Sequence, residues 1–536
     1  MLKEKIQKIL KTALEDLKKE GVLTFDKLES VEVEYPREKE HGDYATNIAL
    51  IFAKKTGQDP VKIANLIVNQ INKKTTKKLF EKIEIKQPGF INFFISQEYL
   101  QKLLIEIIKK DQDFGRLKVG RGVKTNIEFI SANPTGELHI GNGRGAFFGD
   151  VLANVLEFAG FKVEREYYIN NARCNTQIQI LGKTALGKSK AYLTDYLRQK
   201  IKKLQKKLKK ADDEKEAGYL LANEIQKDIK KFIEKELKIK FDNWIEEENF
   251  FQKSEIKKTF KWLERKGLVY QKDGAFWIKT SRVGDKKDWV IIRENGQPTY
   301  LMSDIVYHKD KAKRGFKKII NIWGADHQAH VLKMKAVMKI LGFKGDFDIL
   351  ISQIVTLKSG KKFSKRKGEI ITLKELIDEV GLDVARFFYL QKALDTHMEF
   401  DLGLAKEQSE KNPVYYIQYA HARICSILRR CRIKNSKLKI EPQNLKLLTH
   451  SRELELIKKL IIFPDIVEEI TKSYQVHRLT HYATQLAGAF HQFYQECRVL
   501  TQEEEVTKAR LALVMATQIV LRNLLKLLGI SLPTKM

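Results

Sequence analysis

Cysteine is scarce in this chain and acid is outnumbered. Only Cys174, Cys425, Cys431 and Cys497 occur in 536 residues. No two are spaced as Cys-x-x-Cys, so nothing points to a zinc knuckle or a redox dithiol, and free thiols suit a reducing, cytoplasmic setting. No apolar run approaches the ~18 residues of a membrane span, and no membrane partner is expected. The N-terminus lacks the apolar core of a secretory signal: Met1–Glu20 carries mixed charge, with Ile6, Ile9, Leu10, Leu14 and Leu17 on one helical face. Internal repeats and long low-complexity linkers are absent too. Asp and Glu number 68 against 99 Lys and Arg, for a formal charge of +31 and a pI near 9.6. The excess is spread along the chain rather than held in a tail. It suits either a polyanionic partner or a lysine-rich proteome.

At ~150 residues per domain the length allows roughly three to four domains. Patterning suggests three regions. Residues 1–115 read as a small α+β unit: the N-terminal helix, the run His41–Leu50, and a strand-like alternation over Phe90–Ile95 after a Pro88-Gly89 turn. Residues 116–395 read as a nucleotide-binding sheet. A lysine-rich stretch, Lys200–Glu216, interrupts it and suits a solvated surface helix. Residues 396–536 lack strand patterning. Val414–Arg430, Arg452–Thr471, Tyr474–Glu496 and Glu503–Leu528 each have helical periodicity and predict an α-helical bundle.

The most informative stretch is Ser131–Asn142, Ser-Ala-Asn-Pro-Thr-Gly-Glu-Leu-His-Ile-Gly-Asn. A strand over Asn126–Ile130 precedes it. Phe147, Val151, Val155 and Phe158 predict a helix after it, Gly160 its end, and Lys162–Tyr168 the next strand. A strand–loop–helix–strand unit aims free N–H groups and the positive helix end at whatever lies above the sheet, and a nucleotide phosphate fits there. His139 adds a proton donor, and Gly141 and Gly143 let a flat base approach bare backbone. A second such crevice follows Lys317–Trp323, at Gly324–Gln328. Beyond a strand over Ile349–Leu357, Lys361–Gly368 (Lys-Lys-Phe-Ser-Lys-Arg-Lys-Gly) concentrates cation in a short loop. Taken alone that loop suits solvated surface; beside two crevices it suits closure over a triphosphate.

The first segment resembles the HIGH signature of class I aminoacyl-tRNA synthetases, with Asn142 in place of the second histidine. The longer run Ser131–Asp150 is similar to arginyl-tRNA synthetases. Lys361–Gly368 resembles the KMSKS loop: Lys362, Ser364 and Lys365 match, while Phe363 replaces Met and Arg366 replaces Ser. Thr372–Leu390, expected as one helix, also resembles that family, as do His41–Leu50, Gln87–Ile95, Asn412–Arg423 and the chain end.

The resemblance implies an α/β fold: a class I Rossmann-like, doubly wound parallel-sheet catalytic domain with a small N-terminal α+β domain and a C-terminal α-helical bundle. It implies a monomeric arginine–tRNA ligase that uses ATP, with Mg²⁺ on the phosphates, to join L-arginine to its tRNA through an arginyl-adenylate. His139, Gly141, Asn142, Gly143 and Ser364 would meet ATP, and Lys362 and Lys365 the departing pyrophosphate. Glu128 and Asn133 would hold the α-amino end of arginine, Tyr300 and Asp304 its guanidinium, and Gln328 the polar rim. Phe90, Asn92, Tyr416 and Met536 would touch tRNA.

Several of these residues have plainer readings. Glu128 is an odd charge in a buried strand and suits pairing with a structural arginine such as Arg165. Asp304 suits an N-cap or the surface. Phe90 suits the core better than a base contact, whereas Asn92 is harder to explain structurally. His327 and His330 beside Asp326 lack a suitable third ligand, so no metal site is expected. A second class I specificity, or a synthetase-like RNA-binding protein without catalysis, stays open on these residues, the latter because of Asn142 and Phe363.

Overall fold

The computed structural model describes the whole chain except residues 27, 29–30, 37, 74–77, 359–370 and 435–442, with backbone only at 39 and 432–434. In the N-terminal unit, Leu2–Lys19 is a helix whose Ile6, Leu10, Leu14 and Leu17 are buried, while Ile9 sits at the margin of the core. That helix packs on the helix Pro60–Lys73, which lies against an antiparallel sheet of β1 (Tyr44–Thr46), β2 (Phe80–Lys86) and β3 (Phe90–Ile95), in the order β1–β3–β2. The unit is tied to the C-terminal bundle by Lys3–Glu469 (2.6 Å), Lys458–Asp43 (2.7 Å) and a Tyr35 hydroxyl donating to Asp465 (2.6 Å).

The middle of the chain holds β4 (Lys124–Glu128), β5 (Lys162–Ile169) and β6 (Asn243–Glu246). There follow a small antiparallel sheet of β7 (Val269–Lys272), β8 (Ala275–Ile278) and β9 (Trp289–Ile292), then β10 (Lys318–Gly324) and β11 (Asp346–Ser352). Five of these form one parallel sheet in the order β11–β10–β4–β5–β6. The chain moves outward from β4 to β6, then returns to the other side of β4 with β10. The reversal lies between β4 and β10, where loops leaving neighbouring strands part in opposite directions and open a crevice at their carboxyl ends. The two loops singled out in the sequence leave these two strands. They therefore border one crevice.

Four local expectations differ from the structure. Ile349–Leu357 is not one strand: β11 ends at Ser352, and β12 (Val355–Leu357) pairs in parallel with β13 (Met398–Phe400). β13 also puts a strand beyond residue 395, where none was expected; its buried–exposed–buried pattern gives it a sheet-facing side. Thr372–Leu390 is two helices, Leu373–Val380 and Leu382–Leu390, broken at Gly381, whose φ of +82° suits glycine. Arg452–Thr471 likewise divides into Ser451–Ile461 and Phe463–Ser473, with Pro464 in the first turn of the second helix.

The lysine-rich stretch spans the end of one helix, Asp195–Leu208, which buries Leu204 and Leu208, a turn, and the start of the next, Glu214–Lys235. In the C-terminal bundle, Pro413–Lys434 and His477–Glu496 pack against Glu504–Leu528. By length and composition that last helix is apolar enough to span a bilayer, contrary to the reading of apolar runs, but 78% of its apolar stretch is buried inside the bundle.

Candidate active site

Leaving β4, the backbone takes positive φ at Ile130 (67°) and Ser131 (39°), a costly conformation for side-chain-bearing residues. The surroundings hold it there. Ser131 Oγ donates to Glu128 Oε1 (3.1 Å) and accepts from the Tyr168 N–H (3.1 Å), and the Ala132 N–H donates to Tyr167 (3.1 Å). The turn leaves Asn133 exposed and delivers the chain to His139, the N-cap of the helix Ile140–Phe158.

His139 Nδ1 accepts from the Gly141 N–H (3.1 Å), and Asn142 Oδ1 accepts from the His139 N–H (2.9 Å). His139 is exposed, and partial desolvation by its neighbours lowers its pKa, which favours the neutral ring. With Nδ1 accepting, its proton sits on Nε2, a donor suited to a phosphate oxygen. The reciprocal cap accounts for Asn142, the departure from the signature. It also accounts for Gly141, where a Cβ would lie 2.8 Å from the His139 ring. Gly143 corrects the sequence reading. It is buried, and a Cβ there would lie 2.8 Å from Leu373 and 2.9 Å from Tyr389. Its bareness serves helix packing rather than an open face for a base.

Lys362, Phe363, Ser364 and Lys365 lie outside the described residues. The chain that follows them is bonded to the signature: the Ile140 N–H donates to the Ile371 carbonyl (3.2 Å) and the Leu373 N–H to Leu138 (2.8 Å). The lysine-rich segment therefore ends three residues before a two-bond anchor beside His139.

Tyr300 and Asp304 lie one turn apart on the helix Tyr300–Lys313. Tyr300 is exposed, its hydroxyl accepts from the Thr176 N–H (3.2 Å), and it lies 3.5 Å from Asn175 Oδ1. Asn175 Nδ2 in turn donates to Glu247 Oε2 (3.4 Å). Burial raises the Glu247 carboxyl. Asp304 is pushed up to about 7, first by burial and then by the Glu247 and Glu128 carboxylates, against Lys333 and Lys311. Among the described residues neither Glu247 nor Asp304 has an ion-pair partner. Two acids that resist ionising together, beside a phenol, suit a planar cation with several N–H donors.

Glu247 was missed in the sequence because it stands in a run of three acids, Glu246–Glu248, which suits a solvated face. The structure separates them: both Glu247 and Glu248 are buried at the first turn after β6, but Glu248 is held by Arg173 (2.5 Å), whereas Glu247 has no ion-pair partner among the described residues.

Glu128 is buried and bonded to Lys311 (2.6 Å). The expected Arg165 instead holds Glu157 (2.7 Å) and Asn154 (2.8 Å). Gln328 is exposed in the short turn Ala325–His330 that leaves β10. His330 Nδ1 lies 3.2 Å from Lys333 Nζ, a contact that engages this ring nitrogen.

The two N-terminal residues reverse the sequence reading. Phe90 is 39% exposed, whereas Asn92 is 2% exposed, in the central strand between Ala45 and Glu84. Asn92 is therefore covered where a base contact was expected, while Phe90, two residues earlier in the same strand, is open. In the bundle, Tyr416 is half-buried with its ring 4.5 Å from that of His491, and Met536 is exposed.

The Asp304 environment has a measurable consequence. A guanidinium favours the ionised acid, so arginine binding should tighten as pH rises through about 7. KM for arginine is expected to fall about tenfold from pH ~6 to ~8. Asp304→Asn should flatten the profile, which initial rates across this range would reveal.

Three family descriptions match the chain in succession: "Arginyl tRNA synthetase N terminal domain" over residues 4–95, "tRNA synthetases class I (R), catalytic domain" over 103–401, and "DALR anticodon binding domain" over 417–536. An arginine–tRNA ligase of Caldanaerobacter subterraneus is 42% identical, covering 100% of this chain and 99% of its own. One of Carboxydothermus hydrogenoformans is 42% identical over 97% of this chain and 96% of its own. The Thermus thermophilus arginyl-tRNA synthetase structure shares the fold with a TM-score of 0.79 over 100% of both chains at 21% identity. That of Plasmodium falciparum scores 0.80 at 20% identity over 100% of this chain and 99% of its own. Likeness runs from end to end and through all three regions, and the chain belongs to the arginyl-tRNA synthetase family of class I synthetases.

Proposed function

We propose that this chain joins L-arginine to tRNA(Arg) in two steps at the crevice between β4 and β10. In the first, the arginine carboxylate attacks the α-phosphate of ATP and pyrophosphate leaves, giving arginyl-adenylate. In the second, a terminal hydroxyl of the tRNA takes the arginyl group and AMP leaves. The observation that carries the reading is Asp304, without an ion-pair partner among the described residues, set close to the carboxylates of Glu247 and of Glu128, the last residue of β4 before the loop to His139.

No covalent nucleophile on the protein is needed; the work is alignment and stabilisation of developing charge. His139 Nε2–H and the N-terminal amides of its helix serve the α-phosphate. Lys365, helped by Lys362 and Ser364, meets the leaving pyrophosphate. Mg²⁺ bound to the ATP phosphates would supply further neutralisation of their charge. Asp304, Glu247 and Tyr300 hold the guanidinium. Glu128 and Asn133 receive the α-ammonium, and Gln328 lies on the rim. A neutral or single-headed side chain in the same pocket leaves carboxylate lone pairs unmet, which sets specificity without editing. The cap formed by Asn142 removes one reason for a non-catalytic reading.

Exposed Phe90 and Met536 and half-buried Tyr416 are the tRNA contacts this reading retains, within a three-part division at about residues 115 and 395. A cytoplasmic monomer fits the free thiols and the family.

A charging assay across the amino acids, with ATP–pyrophosphate exchange measured in the presence of tRNA, tests the reading. Arginine alone should support both; charging of another amino acid, or of none, contradicts it. The +31 charge makes a separate prediction. tRNA affinity should fall at least about tenfold between ~50 and ~200 mM salt, by counterion release from phosphates. A flat salt profile in filter binding would mean that the basic excess does not face the RNA.

A further inference from the structure

Beneath the proposed arginine pocket, a polar row crosses the interior of the parallel sheet. Asn321 of β10, Glu128 of β4 and Glu166 of β5 stand side by side in register. All three are at most 5% exposed, and Lys311, fully buried, lies against them. Lys311 Nζ is 2.6 Å from Glu128 Oε2, 3.0 Å from Asn321 Oδ1 and 3.7 Å from Glu166. Glu166 has its own cation, Arg314, on both carboxylate oxygens, and accepts from the Tyr307 hydroxyl (2.8 Å). The Lys311 charge therefore belongs mainly to Glu128.

Every bond in this row has a fixed direction. Asn321 gives its oxygen to Lys311, so its Nδ2 donates to His308 Nε2 (2.8 Å); His308 Nδ1–H donates to the Asp304 carbonyl (2.8 Å). Burial and the nearby Lys311 push His308 down to about 3, so the ring stays neutral in this chain of bonds. One helix, Tyr300–Lys313, thus carries the guanidinium residues at its start and grips Glu128 near its end, with His308 joining the two.

Stability does not explain the row. Buried ion pairs of this kind are often no more stable than apolar groups of the same size, and a buried parallel sheet ordinarily uses apolar residues here. Glu128 has a second restraint as well, the Ser131 hydroxyl held by the strained turn at Ile130–Ser131. Both restraints act on the one carboxylate at the carboxyl end of β4, where the crevice opens.

Resting on the reading of that crevice as the arginine site, we propose that Lys311 is a positioning residue: it holds Glu128 where its free lone pairs receive the α-ammonium of arginine. Because Lys311 balances its charge, Glu128 recognises the ammonium by direction rather than by net charge. Discrimination at the α-amino end is then separable from affinity for the guanidinium.

The test compares L-arginine with 5-guanidinopentanoate, the same molecule without the α-amino group, as ligands of the full-length protein by calorimetry. Wild type should prefer arginine by roughly tenfold to a hundredfold, the scale of a charge-assisted hydrogen bond. Lys311→Met should remove most of that preference, weakening L-arginine far more than 5-guanidinopentanoate and leaving the affinity for ATP unchanged. An undiminished preference, or equal weakening of both ligands, overturns the role of Lys311. Glu128→Gln is the control: if it alone leaves the preference intact, the assignment of Glu128 to the α-amino end fails instead. Should Lys311→Met not fold, the Lys311→Met/Glu128→Gln double variant carries the test. Its preference should match that of Glu128→Gln alone, and a further loss contradicts a shared clamp.

Discussion

Glu247→Gln and Asp304→Asn are each expected to raise KM for L-arginine by roughly a hundredfold, the scale of truncating one partner of a desolvated charged hydrogen bond, with KM for ATP unchanged. The expectation follows from the pair's environment. Burial, then the Glu247 and Glu128 carboxylates, hold Asp304 up to about 7, and burial raises Glu247, so an incoming guanidinium is bound by drawing both acids into their ionised form. An amide in either position keeps the shape and removes the charge. Steady-state kinetics with each substrate varied in turn would separate the cases. Equal damage to both KM values would instead indicate a structural role.

Glu247 is also where sequence reading stopped short. Tyr300 and Asp304 were legible because a spacing of four puts both on one helical face. His139 was legible because a strand, a loop and a helix period surround it. Glu247 gave no such signal: only folding reveals that Glu248 goes to Arg173 and Glu247 does not. Tertiary pairing likewise decided Glu128, whose partner Lys311 is 183 residues away, and Gly143, whose neighbours Leu373 and Tyr389 come from beyond the lysine loop. Period-2 alternation identified β3 but could not tell that its outward face is covered at Asn92 and open at Phe90. The architecture was more accessible. Hydrophobic periodicity marked the sheet, its two strand-to-helix turns and the helical bundle. The breaks at Gly381 and Pro464 were passed over, because continuous apolar spacing masked them.

Lys365→Ala is expected to slow adenylate formation by ~10²–10³, the scale of losing one preorganised charge contact in a transition state, with arginine affinity unaltered. Negative charge builds between the α- and β-phosphates as the bond breaks, and a fixed cation there lowers the barrier without binding the ground state more tightly. Ile371 and Leu373, which follow the lysine segment in the chain, bond to Ile140 and Leu138 at the phosphate-facing helix end. Single-turnover formation of arginyl-adenylate, measured with tRNA present, isolates this step. An unchanged rate would refute the role of Lys365, and a raised arginine KM would mean that the lysine serves the amino acid instead.

The most direct measurement is a crystal structure of the full chain with a non-hydrolysable arginyl-adenylate analogue. A single ligand should bridge the crevice between β4 and β10, its guanidinium bonded to Asp304 and Glu247 and its phosphate mimic within reach of His139 Nε2. An analogue bound elsewhere, or one whose guanidinium turns away from both carboxylates, would contradict the account.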